Sequence, residues 1–203
     1  MTTRLLRLVL PVVIGVFAIL PGLAQTPSGN ASPQTPPPAG GLLRKSPPQP
    51  QQKQSLEYFV GRWNVTWSGR ESAFSPGPRT GTVTYTRLGA SNFLDVRGEG
   101  KSEAGGAYKE AGTLGWHEVQ KMLALHERLA GGVEVLSLGD WTSPITIRFE
   151  SAPVTVRGQT LTLRRTYGIV SAQSFTVTEE LSTDGTSFVR LGGGVLGKVA
   201  AKE

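Results

Sequence analysis

The sequence predicts an all-β protein, a single up-and-down antiparallel β-barrel of about ten strands. Three observations carry that expectation. From Gln54 onward the chain falls into short runs in which apolar and polar residues alternate, the period of a strand with one buried face. The runs are rich in β-branched and aromatic residues and are separated by glycine-containing turns. No segment keeps helical spacing for longer than one turn, the best being "QSLEYFVG". Closing consecutive hairpins into a barrel removes the edges along which such a sheet would aggregate.

In chain order, residues 1–24 read as a secretory signal peptide. Arg4 and Arg7 precede an apolar run from Leu8 to Leu20, and the small residues Gly22 and Ala24 place cleavage after Ala24. The run is shorter than the roughly 20 residues of a membrane span, and an uncleaved anchor is the alternative. The expected location is therefore exported, periplasmic or extracellular. Residues 25–53 hold eight prolines and almost no large apolar side chains. That composition cannot bury enough surface to offset ordering, so the segment reads as a disordered Pro-rich linker. Its "PQTPPP" offers the alternative of a polyproline ligand for another module.

Residues 54–203 form the expected barrel domain, long enough at about 150 residues to bury one sufficient core. In "RWNVTW" the side chains of Trp63, Val65 and Trp67 share one face, while Arg62, Asn64 and Thr66 share the other. Nine further runs follow: "TVTYTRL", "NFLDVRG", "GTLGWHE", "MLALHERL", "VEVLSL", "ITIRFE", "TLTLRRTY", "FTVTEEL" and the weaker "SFVRL". Hairpin turns are expected at "LGASN", "RLAGGVE", "VRGQT" and "STDGTS".

Charge and cysteine content exclude several classes. Of 21 basic residues, Arg4, Arg7, Arg44, Lys45 and Lys53 precede Gln54, and no acid does, so the domain carries 16 basic against 15 acidic residues, a net of +1. A nucleic-acid partner needs a basic face that this near-neutral domain lacks. The chain has no cysteine, which removes disulfides, thiolate metal sites, a cysteine nucleophile and a lipid-modified cysteine anchor. Gly-x-Ser-x-Gly, phosphate-cradling and dinucleotide-binding signatures are all missing. Glu179 and Glu180 are adjacent on one strand and point to opposite faces, so they cannot act as a pair.

"LEYFVGRWNVTWSG" resembles the first strand of the lipocalin-like, or calycin, barrels, whose Gly-x-Trp motif is here Gly61-Arg62-Trp63. "GTLGWHEVQKML" and "STDGTSFVRLGGGVLGKV" are similar to the hairpin and the last strand of a bacterial lipocalin-like family known only as domain of unknown function 1579. Here His117 stands where that family usually has an acid, and glycines fill the last strand. The resemblance implies that Gly61 and Trp63 are structural, with Trp63 closing the barrel floor under a cation, Arg190 or Lys198. It also implies a lumen able to hold an apolar or amphipathic small molecule.

Charged residues on otherwise apolar faces are the candidates for the polar end of that lumen, because burying them requires a partner or a ligand. Arg165 and Tyr167 continue the face of Leu161 and Leu163, Arg87 continues that of Val83 and Tyr85, and Glu179 lies between Val177 and Leu181. Arg165-Thr166-Tyr167 is similar to the Arg-x-Tyr pair with which intracellular fatty-acid-binding barrels hold a carboxylate. The alternative is that Arg165 and Glu179 pair with each other, or that these residues end in water. No metal is expected: His117 and His126, on one face of a hairpin, start roughly 13 Å apart. No cofactor is expected either, with haem through a single histidine the alternative that the calycin resemblance implies.

The expected function is an exported small-molecule carrier with Arg165, Tyr167, Arg87, Tyr85 and Glu179 at the ligand. A non-catalytic envelope interaction or structural module with a filled barrel is the second reading. An enzyme of unrecognised type, using His117, Glu179 or Asp140, is the third.

Overall fold

The computed structural model describes residues 54–200. The signal peptide and linker read from the sequence lie outside the described residues. A 3-10 turn, Leu56–Phe59, leads into β1 (Gly61–Gly69), the small hairpin β2 (Glu71–Ser72) and β3 (Ser75–Pro76), and then β4 (Arg79–Arg87). The chain continues through β5 (Phe93–Ser102), β6 (Ala107–His117), β7 (Met122–Arg128), β8 (Glu134–Ser143) and β9 (Thr146–Ser151). It finishes with β10 (Val154–Val156), β11 (Gln159–Ser171), β12 (Ser174–Ser182) and β13 (Val189–Lys198).

Ten of these strands close a ring, in the order β1-β4-β5-β6-β7-β8-β9-β11-β12-β13 and back to β1. Every pairing is antiparallel. The ten alternating runs of the sequence are these ten strands. Missed were β2 and β3, each two residues long, and β10, which lies on β11 outside the ring. Such short strands carry too few residues to show a period.

The four expected turns are where the backbone needs glycine. Gly89, Gly132, Gly158 and Gly185 all have positive φ. Between β10 and β11 the two-residue loop Arg157-Gly158 has φ of 52° and 79°, the pair of left-handed residues of a type I′ hairpin turn. In the β12–β13 loop, the Asp184 carboxylate accepts bonds from the Thr186 N–H (2.8 Å), the Ser187 N–H (2.7 Å) and the Ser182 hydroxyl (2.8 Å).

The lumen has a floor and a roof. At the floor, Phe59 of the 3-10 turn packs under Trp63, Tyr85, Tyr167 and Phe175, with Leu94, Leu114, Leu123, Leu125 and Phe149 completing the cluster. Trp63 is fully buried, and its indole N–H donates to the Phe59 carbonyl at 2.7 Å. Lys198 Nζ lies 5.1 Å from the Trp63 ring centroid, and so supplies the stacked cation at the floor. Gly61 has φ of 127°, which a side chain would strain. At the roof, Phe74 of the β2–β3 hairpin covers Leu129, Val135, Leu161 and Leu163. Outward positions on β1, β4 and β5 are polar, among them Arg62, Asn64, Thr84, Arg97 and Glu99, the reverse of the apolar band that faces lipid in a membrane barrel. No helix among the described residues is long and apolar enough to cross a membrane.

Candidate functional site: a charged layer inside the barrel

Strand alternation puts a layer of charge between floor and roof. Along β11, Leu163 belongs to the roof and Tyr167 to the floor, with Arg165 between them. Along β12, Glu179 lies between Val177 of the floor and Leu181, packed against the roof; on β7, Glu127 follows Leu125 of the floor and Leu129 of the roof lies just beyond. Glu110 of β6, the strand beside β7, and Arg79 of β4 complete the layer.

Arg165 holds two of the three carboxylates. Its Nε donates to Glu179 Oε1 at 2.8 Å, its Nη2 lies 2.6 Å from the same oxygen, and its Nη1 pairs with Glu127. Glu179 is 0 % exposed, and its second oxygen, Oε2, has no hydrogen-bond partner. Arg79 is buried as well. Its Nη1 donates to Ser75 Oγ at 2.8 Å and to the Gly77 carbonyl at 3.3 Å, and its guanidinium lies 4.5 Å from the Trp67 ring centroid and 5.3 Å from that of Tyr108. It reaches Glu110 only at 3.5 Å, and Glu110 Oε1 is buried without a hydrogen bond.

Burial pushes the carboxyls of Glu110 and Glu127 above the ordinary range; Arg79 offsets the shift at Glu110 and Arg165 that at Glu127, while the Glu179 charge adds to both. The phenols of Tyr85 and Tyr167 are raised by burial too, with Glu127 contributing. A buried ionic cluster of this kind adds little to stability compared with apolar packing. Perturbed ionisable groups converging on a cavity are instead a mark of a functional site.

Such a cavity is present. About 80 Å³ of free space lies within the lumen, bounded by Val65, Val83, Val96, Val177 and Leu196 on its apolar side and by the charged layer on the other. Gly98, facing Glu110 across the β5–β6 pair, leaves part of that space open. A larger depression of about 660 Å³, lined by Thr84, Arg97, Glu99, Lys109 and Arg128, shares Thr82, Gly98, Glu110 and Ala111 with the lumen cavity.

Four of the five expected ligand residues, Arg165, Tyr167, Tyr85 and Glu179, are brought together on the cavity wall. Arg87 is not. Its strand runs past the floor, so its side chain emerges beyond Phe59, 63 % exposed and paired with Glu57 of the 3-10 turn. The pairing of Arg165 with Glu179 that the sequence left open is present, and it changes what the site can hold. Glu127, Glu110 and Arg79 were missed, although "MLALHERL" shows Glu127 on the face of Leu123, Leu125 and Leu129 by the rule that found Arg165. Across the β6–β7 hairpin, His117 pairs with Met122 and His126 with Thr113. Among the described residues no group of three or more His, Asp or Glu side chains is arranged to hold a metal ion.

No protein-family model and no curated protein matches this chain. Among solved structures, it is similar to Rv2717c from M. tuberculosis, with 17% sequence identity and a TM-score of 0.55 over 71% of this chain and 95% of that one. Two redesigned β-barrels bound to DFHBI also match, mFAP1 at 14% identity and TM-score 0.39, covering 70% of this chain and 96% of that one, and mFAP0 at 14% and 0.40, covering 70% and 99%. The likeness to Rv2717c is one of fold: a closed antiparallel barrel that accounts for nearly the whole of that protein.

Proposed function

We propose that this chain is an exported, lipocalin-like small-molecule-binding barrel, of the kind represented by domain of unknown function 1579, that holds an apolar or amphipathic ligand in its lumen. The observation that carries this reading is the cavity itself, with valine and leucine walls on one side and a fully buried carboxylate with a free oxygen on the other. A barrel meant only to be solid has no need to keep charges in mid-lumen, because well-packed apolar residues would be at least as stable there. The signal-like residues 1–24 and the proline-rich residues 25–53 support an exported domain on a spacer. The role is one of binding, with Tyr85, Tyr167, Glu179 and the Arg165 cluster at the ligand and Gly61 and Trp63 holding the floor.

Trp67 lines the cavity and reports on it. The full chain, titrated with small apolar and amphipathic molecules, is expected to show a saturable change in tryptophan fluorescence. Gly98→Val, which places a side chain beside Glu110, is expected to abolish it. No saturable change with any molecule would leave the lumen as a filled core and favour the interaction module.

A further inference from the structure

The lumen reading leaves the ligand's head group open, and the charge balance of the cavity wall narrows it. The layer holds two guanidinium groups, Arg79 and Arg165, against three carboxylates, Glu110, Glu127 and Glu179. Arg165 commits its donors to Glu127 and to one oxygen of Glu179. Arg79 is held by Ser75, Gly77 and the rings of Trp67 and Tyr108, and its Nη2 lies 3.5 Å from Glu110 Oε1. What remains is acceptor capacity: Glu179 Oε2 and Glu110 Oε1 are both buried and make no hydrogen bond, Glu110 Oε1 meeting Arg79 Nη2 only across that ion pair.

A carboxylate head group meets Arg165 with its donors committed and Arg79 already ion-paired with Glu110, and it adds to an existing negative excess in a low-dielectric lumen. A hydroxyl satisfies one acceptor but leaves the charge unbalanced. A protonated amine supplies three N–H donors and one positive charge, which matches both deficits. We propose that the lumen cavity selects small organic amines, the ammonium donating to the free oxygens of Glu179 and Glu110 while an apolar tail lies against Val65, Val83, Val96, Val177 and Leu196. This rests on the lumen-binding reading and specifies its ligand class. About 80 Å³ of room suits a short-chain monoamine. Glu110, 22 % exposed, also borders the outer depression. The rim carries Arg97, Lys109 and Arg128 against Glu99. These are exposed charges screened by salt, and Arg97 is engaged by Asp95 through two bonds of 2.8 Å.

The test is calorimetric titration of the full chain with hexylamine, hexanol and hexanoate near neutral pH, with valine methyl NMR to locate binding. Hexylammonium is expected to bind at least about tenfold more tightly than hexanol, the worth of a charge-assisted hydrogen bond, and hexanoate more weakly than either. Glu110→Gln is expected to bring the hexylammonium and hexanol affinities together. Hexanol or hexanoate binding in the lumen as tightly as hexylammonium would overturn the amine proposal and leave the lumen reading intact. Should none of the three bind and no valine methyl shift, both would fall. The selectivity of the parent chain decides the matter even if the variant does not fold.

Discussion

Arg165 is the residue on which the interior turns. Truncating it to alanine strands Glu127 and Glu179 in the barrel, and breaking a buried pair from one side costs about 3–5 kcal/mol. Arg165→Ala is therefore expected to fall in stability by that amount in a urea melt, whatever its effect on a ligand. Replacing Arg165, Glu127 and Glu179 together with Met and Leu is expected to restore or exceed the parent's stability while removing binding. A triple variant no more stable than Arg165→Ala would show that the cluster itself holds the fold. Glu110 and Glu127 titrate in the opposite sense to ordinary paired acids. Their folded-state values lie above the unfolded value near 4.5, so their contribution is full below that pH and is lost as the pH rises through the raised values. Glu110→Gln mimics the protonated form. It is expected to be more stable than the parent at neutral pH and to match it in acid, as denaturant midpoints across that range would show. The sequence displayed Arg165 and Glu179 as charges on apolar faces, but not that they satisfy each other, because pairing across β11 and β12 depends on the register between them.

At the scale of elements, register and turns decide what the lumen contains. The Gly98 Cα faces Glu110 across β5 and β6, and a Cβ there would meet Glu110 Cβ at 3.5 Å, ordinary van der Waals contact. Gly98→Ala is thus expected to fold, to gain about 0.5 kcal/mol from the stiffer unfolded chain and to bind any lumen ligand more weakly. Unchanged affinity in that variant would place the ligand elsewhere. In the β12–β13 turn, three donors hold the Asp184 carboxyl well below its ordinary value of 3.8. Its contribution is present above that value and is lost as pH falls, so Asp184→Ala is expected to lower the melting temperature at neutral pH and leave it unchanged in strong acid. These turns were legible because left-handed backbone demands glycine. The β2–β3 hairpin that roofs the barrel was not, since Phe74 in "ESAFSPGP" belongs to no periodic run.

At the scale of the molecule, strand periodicity was sufficient for the barrel and insufficient for its contents. Ten alternating runs became ten staves, and Trp63 closes the floor as the Gly61-Arg62-Trp63 motif implied. Which end of each inward face reaches the lumen depends on where the strands begin relative to the floor, and this is why Arg87 escaped to the surface while Tyr85, two residues earlier, did not. The carboxylate-binding role suggested by Arg165 and Tyr167 needs an unpaired guanidinium, and Arg165 is paired with Glu127 and Glu179; the amine proposal rests on Glu110 and Glu127, which the sequence reading left unplaced. The central claim is that this cavity holds a small molecule with a donor at its head, and native mass spectrometry of the chain recovered gently from its host tests it most directly. A one-to-one adduct that organic extraction identifies as a small molecule bearing a basic nitrogen is the expected result. A retained carboxylic acid, or a bare mass that no added amine alters, would contradict it.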